Sequence, residues 1–259
     1  MSTVFWGLFI PFLGTMLGAS CVFFMRRELN ETVQRVFMGF AAGVMTAASV
    51  WSLLIPSMNI SRGMQRFVFF PALTGFACGV FFLFVLDKTV PHVHAAARNP
   101  EGPNTKLSRT VMLVFAATLH NIPEGMAVGV LFSGMVSGNT QISAAAAFAL
   151  SIGIAVQNFP EGAIISMPLR TEGNGRLKSF WYSILSGIVE PAAAVLTILL
   201  TTIIPDVLPY FLSFAAGAVI YVVVEELIPE AARDEKTDAC TISFAAGFAF
   251  MMVLDAALI

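Results

Sequence analysis

The chain has 259 residues, 57% of them hydrophobic and 12% charged, with a mean hydropathy of +0.82 and a formal net charge of −2. Soluble domains carry ~25% charged residues, so a water-soluble globule of this composition would lack the polar surface to cover itself; lipid is its solvent, and no basic patch points to nucleic acid. The three cysteines, Cys21, Cys78 and Cys240, form no CxxC pair, which argues against a disulfide framework or a thiolate metal site.

A membrane-spanning helix needs ~20 mostly apolar residues. Eight stretches qualify, roughly 4–24, 36–56, 67–86, 110–132, 142–167, 179–204, 210–229 and 239–259. The expected fold is therefore an all-α integral membrane protein, a single polytopic domain over 1–259 built as an eight-helix bundle. No basic residue precedes span 1, which reads as retained rather than as a cleaved signal. Spans 1 to 4 carry the pairs Gly14/Gly18, Gly39/Gly43, Gly75/Gly79 and Gly125/Gly129. Small residues four apart let helix backbones approach closely; packing inside one bundle is the simpler reading and a homodimer seam the alternative. The connection 87–109 reads as a flexible cytoplasmic loop with His92 and His94 solvated. The loops after spans 1, 3, 5 and 7 hold 12 of the 14 Lys and Arg residues, and Arg62 and Arg66 are the other two. Basic loops stay in the cytoplasm, which places both termini outside a cell membrane (the inner one in a Gram-negative cell).

The spans contain Glu124, Glu161, Glu190 and Asp255, with Glu225 and Glu226 near the end of span 7, and none contains Lys or Arg. A mid-membrane acid costs at least ~2.5–3.5 kcal/mol on insertion scales and marks ion paths or proton relays. Span 4 reads His120-Asn121-Ile122-Pro123-Glu124-Gly125 and span 5 reads Gln157-Asn158-Phe159-Pro160-Glu161-Gly162. Residues three and four apart share a helix face, so each segment turns its amide or imidazole and its carboxylate the same way. Each proline removes a backbone donor, and spans 4 and 5 are expected to be proline-broken, freeing the carbonyls of Leu119 and Val156. Imidazole, amide and carboxylate together suit a borderline divalent cation, softer than magnesium or calcium.

On these residues the chain resembles the ZIP (Zrt/Irt-like protein) metal-transporter family, in its prokaryotic branch. The likeness extends to span 2, Glu190-Pro191, Glu225-Glu226-Leu-Ile-Pro and Asp255. It implies a binuclear centre between spans 4 and 5. His120, Glu124, Gln157 and Glu161 would hold the transported ion, with Met45 nearby. Asn121, Asn158 and Glu190 would complete a second position sharing Glu124 and Glu161, and Asp255 and Glu226 would line the path. It also implies zinc, or cadmium, iron, manganese or cobalt, as a bound substrate moved toward the cytoplasm, with no cofactor. Gln157 stands where the family often has histidine, and Asn158 where some relatives have an acid. Both departures favour a broad substrate range.

Rival readings fare worse. An intramembrane metallohydrolase wants a strong three-ligand metal set, and only one histidine lies in a span. A proton-coupled carrier fits the amide and imidazole groups poorly. A primary pump would need a phosphate loop, and none is present.

Overall fold

The computed structural model describes residues 2–24, 29–93, 100–171, 173–233 and 238–258. Among them eight helices are long and apolar enough to cross a membrane: Ser2–Phe24, Glu31–Phe67, Phe69–Thr89, Arg109–Val136, Ala144–Arg170, Arg176–Ile203, Leu208–Ala231 and Ala239–Ala257. These are spans 1 to 8. No strand forms among the described residues; the β pairing they contain is one antiparallel bridge, His92 to Glu101. Local chemistry starts the helices where the charge pattern ends. Asn30 caps span 2 by accepting from Thr32 N at 2.9 Å, and Ser108 caps span 4 by accepting from Val111 N.

The prolines act differently from expectation. Spans 4 and 5 run as unbroken α-helix through Pro123 and Pro160. Each proline deletes one hydrogen bond, and the glycine two residues on packs against a neighbouring helix backbone, Gly125 on Glu190 and Gly162 on Thr15. The irregularities lie elsewhere. Span 2 contains a π-turn over Ser49–Leu54 just before Pro56, and span 7 contains one over Val223–Leu227 just before Pro229. In both, the amide ahead of the proline bonds five residues back, Ile55 to Val50 and Ile228 to Val223. Span 6 is interrupted at Ile188, three residues before Pro191. A missing proline donor is absorbed there by a local change of helix type.

All four glycine pairs are used inside the bundle. A Cβ at Gly14 or Gly18 would strike the span 5 backbone at Ala155 and Phe159; at Gly39 or Gly43, span 8 near Cys240 and Phe244. At Gly75 or Gly79 it would strike span 7 at Tyr210 and Phe214, and at Gly125 or Gly129, span 6 at Glu190 and Ala194. The most extensive helix packing is accordingly 1 with 5, 2 with 8, 3 with 7 and 4 with 6. Spans 1, 4, 5 and 6 form one group and spans 2, 3, 7 and 8 another. The pattern maps onto itself when 1 exchanges with 6, 2 with 7, 3 with 8 and 4 with 5. The two π-turns correspond under that exchange. So do Gly79 and Gly247, and with them Asp87 and Asp255, each eight residues further on.

Candidate metal centre

The two repeated segments meet in antiparallel register. Gln157 Nε2 donates to Glu124 Oε1 at 2.8 Å, which sets Gln157 level with Glu124 and Glu161 level with His120. At ~1.5 Å per residue, His120 lies ~17 Å from the start of span 4, deep in the bilayer.

A cavity of about 70 Å³ opens from these residues toward the face that carries the basic loops; His120, Glu124, Gln157, Glu161, Met45 and Glu226 line it. Its outer walls are Phe37, Met38, Leu113 and Ile165, all near the basic ends of their helices. Toward the opposite face the bundle is filled by Leu53, Phe132, Leu150, Leu212 and Met251, each 1% exposed or less.

Behind the cavity lie Asn121, Asn158 and Glu190, at most 1% exposed. Thr15 Oγ1 donates to Glu190 Oε1 at 2.9 Å, and Asn121 Nδ2 donates to Ser186 O at 3.1 Å. Asn158 sits between the carboxylates of Glu124 and Glu190 without reaching hydrogen-bond geometry to either.

Among the described residues, the buried side-chain polar atoms without a partner are Asn121 Oδ1, Glu124 Oε2, Gln157 Oε1, both amide atoms of Asn158, Glu161 Oε1, Glu190 Oε2 and Ser179 Oγ. All but the last belong to the six residues just described. An unsatisfied buried polar atom costs ~1–3 kcal/mol, so so many in one place mark a site shaped for something that accepts lone pairs. Oxygens of carboxylates and amides, beside an imidazole and a thioether, are donor types that could hold a divalent cation.

Two further features were not read from the sequence. His120 pairs with Glu226 through Nε2, a contact that crosses from span 4 to span 7 and so joins the two helix groups. Glu230, one helical turn beyond Glu226, also lines the cavity. A small adjoining pocket connects His120, Glu225 and Glu226 to Asp87, His92 and Tyr221.

His92 corrects the solvated-loop expectation. It is 1% exposed and its Nδ1 lies 2.8 Å from Val90 O. A carbonyl only accepts, so Nδ1 carries a proton and Nε2 is turned toward Asp87 Oδ1 at 3.2 Å. Tyr221 and Lys88 occupy the other carboxylate oxygen. With Glu101, these residues bring three ligand atoms within 4.8 Å of one another. A ring N–H held by a backbone carbonyl is the outer-sphere support found on metal-ligating histidines. His94 lies outside the described residues. Asp255 is away from the cavity, accepting from Ser52 Oγ at 3.1 Å.

The family profile described as ZIP Zinc transporter matches residues 104–255. The human protein named Zinc transporter ZIP11 is 33% identical, across 97% of this chain and 96% of its own length. Zinc transporter GufA of Myxococcus xanthus is 33% identical across 94% of each chain. Zinc transporter ZIPB of Bordetella bronchiseptica is 33% identical across 95% of this chain and 78% of its own. With eight membrane-length helices, the paired Pro-Glu-Gly segments at their centre and likeness over nearly the full length, the chain belongs to the ZIP family of metal transporters.

Proposed function

We propose that this ZIP protein carries divalent transition-metal cations toward the cytoplasm, zinc foremost, with cadmium, iron, manganese and cobalt as further cargoes, and that the basic face is the cytoplasmic one. The reading rests above all on the unpartnered buried oxygens of Glu124, Glu161, Glu190, Gln157 and Asn121, gathered beside the His120 imidazole. A cation supplies what they lack. Relatives named as zinc transporters support zinc among the cargoes.

The centre holds two positions. In the first, His120, Gln157 and Met45 face the cavity. In the second, Asn121, Asn158 and Glu190 lie behind it. Glu124 and Glu161 serve both. An ion in the first position takes the His120 nitrogen from Glu226, loosening the contact between the helix groups. It then leaves past Glu226 and Glu225 toward Asp87, His92 and Glu101. Asp255 with Ser52, the counterpart of Asp87 on the other face, belongs to the approach.

Uptake by proteoliposomes of a panel of divalent ions tests the function, and thermal melting tests the site. Zinc and cadmium should compete strongly with each other, and magnesium and calcium hardly at all. Glu124→Gln should keep or raise the metal-free melting temperature and lose the zinc-induced shift. A lowered metal-free melting point with the full zinc shift retained would make Glu124 a structural residue and sink the site assignment.

A further inference from the structure

Two cavities on the face opposite the basic loops lie end to end. The first, of about 510 Å³, is bordered by Ser61, Met64, Pro71, Asn139, Asp206 and Tyr210. The second, of about 350 Å³, runs between spans 3, 4 and 7 past Phe70, Thr74, Cys78, Met126 and Phe214, and shares Tyr210 with the first. Phe70 belongs to one and its neighbour Pro71 to the other, so the polar mouth continues into an apolar slot.

The depth of the slot is informative. Cys78 lies nine residues in from Phe69 and Met126 ten in from Val136, or ~13–15 Å at 1.5 Å per residue. Half of a ~30 Å hydrocarbon core is ~15 Å. The slot therefore reaches from one face to the midplane, the depth of one leaflet. Its walls offer too few polar partners to hold water, and Phe70 and Cys78 are open on the lipid side. The mouth has a different chemistry. Asp206 is exposed there, and Asn139 Oδ1 accepts from Gln141 N at 2.9 Å, which leaves its Nδ2 as a donor. A carboxylate beside an amide donor matches an ammonium group beside a phosphate ester. Tyr210, where mouth meets slot, stands where amphipathic rings favour the membrane interface.

We propose that the two cavities together bind one phospholipid of the leaflet on that face, with an ethanolamine headgroup at Asp206 and Asn139 and an acyl chain in the slot. Met126 is two residues beyond Glu124 on span 4, while Phe70 and Phe214 belong to spans 3 and 7. The chain thus lies in the seam between the two helix groups, and its presence bears on how they move against each other.

The test uses full-length protein in detergent with phosphatidylethanolamine carrying a diazirine in its acyl chain. After irradiation, adducts should concentrate on residues 70–78, Met126 and residues 211–214. One exposed ion pair at the mouth corresponds to about fivefold better competition by unlabelled phosphatidylethanolamine than by phosphatidylglycerol. Asp206→Asn should erase that preference. Cys78→Phe, at an exposed position where the ring fills the slot, should lose the adducts while melting as the wild type does. Adducts spread evenly onto the lipid-facing surfaces around Phe5, Trp181 and Leu196 would mean ordinary boundary lipid and overturn the site, as would equal competition by phosphatidylglycerol. None of these readouts depends on metal transport. Zinc uptake adds the functional arm: phosphatidylethanolamine in the vesicles should change the wild-type rate and leave that of Cys78→Phe unchanged, whereas an equal change in both would rule out action through the slot.

Discussion

Thr15 supports the proposed second metal position from outside it. Its hydroxyl donates to Glu190 Oε1, its methyl rests near Gly187, and its carbonyl lies against Gly162, the residue after Glu161. One small side chain thus fixes two of the helices that carry carboxylates. Thr15→Val keeps the shape and removes the donor, leaving a second buried Glu190 oxygen unpaired. The metal-free protein should then lose ~1–3 kcal/mol of stability, and zinc affinity should fall, with both restored by Thr15→Ser; unchanged melting and titration calorimetry would mean that the hydrogen bond does nothing. His120→Ala should impair uptake severely and shift preference toward harder ions, because imidazole is the softest donor on spans 4 and 5. Asn121→Ala should cost less uptake, since it removes a neutral amide. The two repeated segments were legible in the sequence because helical spacing alone puts their side chains on one face. Thr15, Glu230 and His92 were not. Thr15 reads as one more small residue in a glycine stripe, and the burial of His92 depends on Asp87 and Glu101, which reach it from either side of a loop.

Proline position proved a poor guide to helix irregularity. Pro123 and Pro160 leave spans 4 and 5 intact, whereas Pro56, Pro191 and Pro229 accompany π-turns or a break. The difference lies in what packs beside each proline, which one sequence does not display. The glycine pairs announced close approach without naming the partner helix. Gly125 is the sharpest instance, because a Cβ there would meet the backbone of Glu190 itself. Gly125→Ala should push span 6 away from span 4, carrying Glu190 from Glu124, at an overpacking cost of ~1–3 kcal/mol. Melting temperature and zinc stoichiometry should fall together. If only the melting point falls, the spacing of spans 4 and 6 does not govern the second position.

At the scale of the molecule, the count of spans was legible because length and hydropathy suffice for it, while the partition into two groups of four came only from packing. Orientation rests on the basic loops. In a protein without Cys21, Cys78 and Cys240, a cysteine at position 174 should react only from the cytoplasmic side and one at 138 only from outside. The reverse pattern would overturn the proposed orientation.

The cavity opens toward the basic face and is plugged by Leu53, Phe132, Leu150 and Leu212 on the other. With the proposed orientation and direction of transport, the proposed centre in this conformation exchanges ions with the receiving compartment and not with the source. Its resting occupancy follows the free metal on the receiving side. Bound ion stabilises this conformation by RT ln(1 + [M]/Kd), which grows by about 1.4 kcal/mol for each tenfold rise in free metal above Kd. When free metal there reaches the dissociation constant, half of the molecules are loaded before they have imported anything. The transporter then slows as its own product accumulates, a feedback that needs no regulatory domain, only a pore that faces the way the cargo is going.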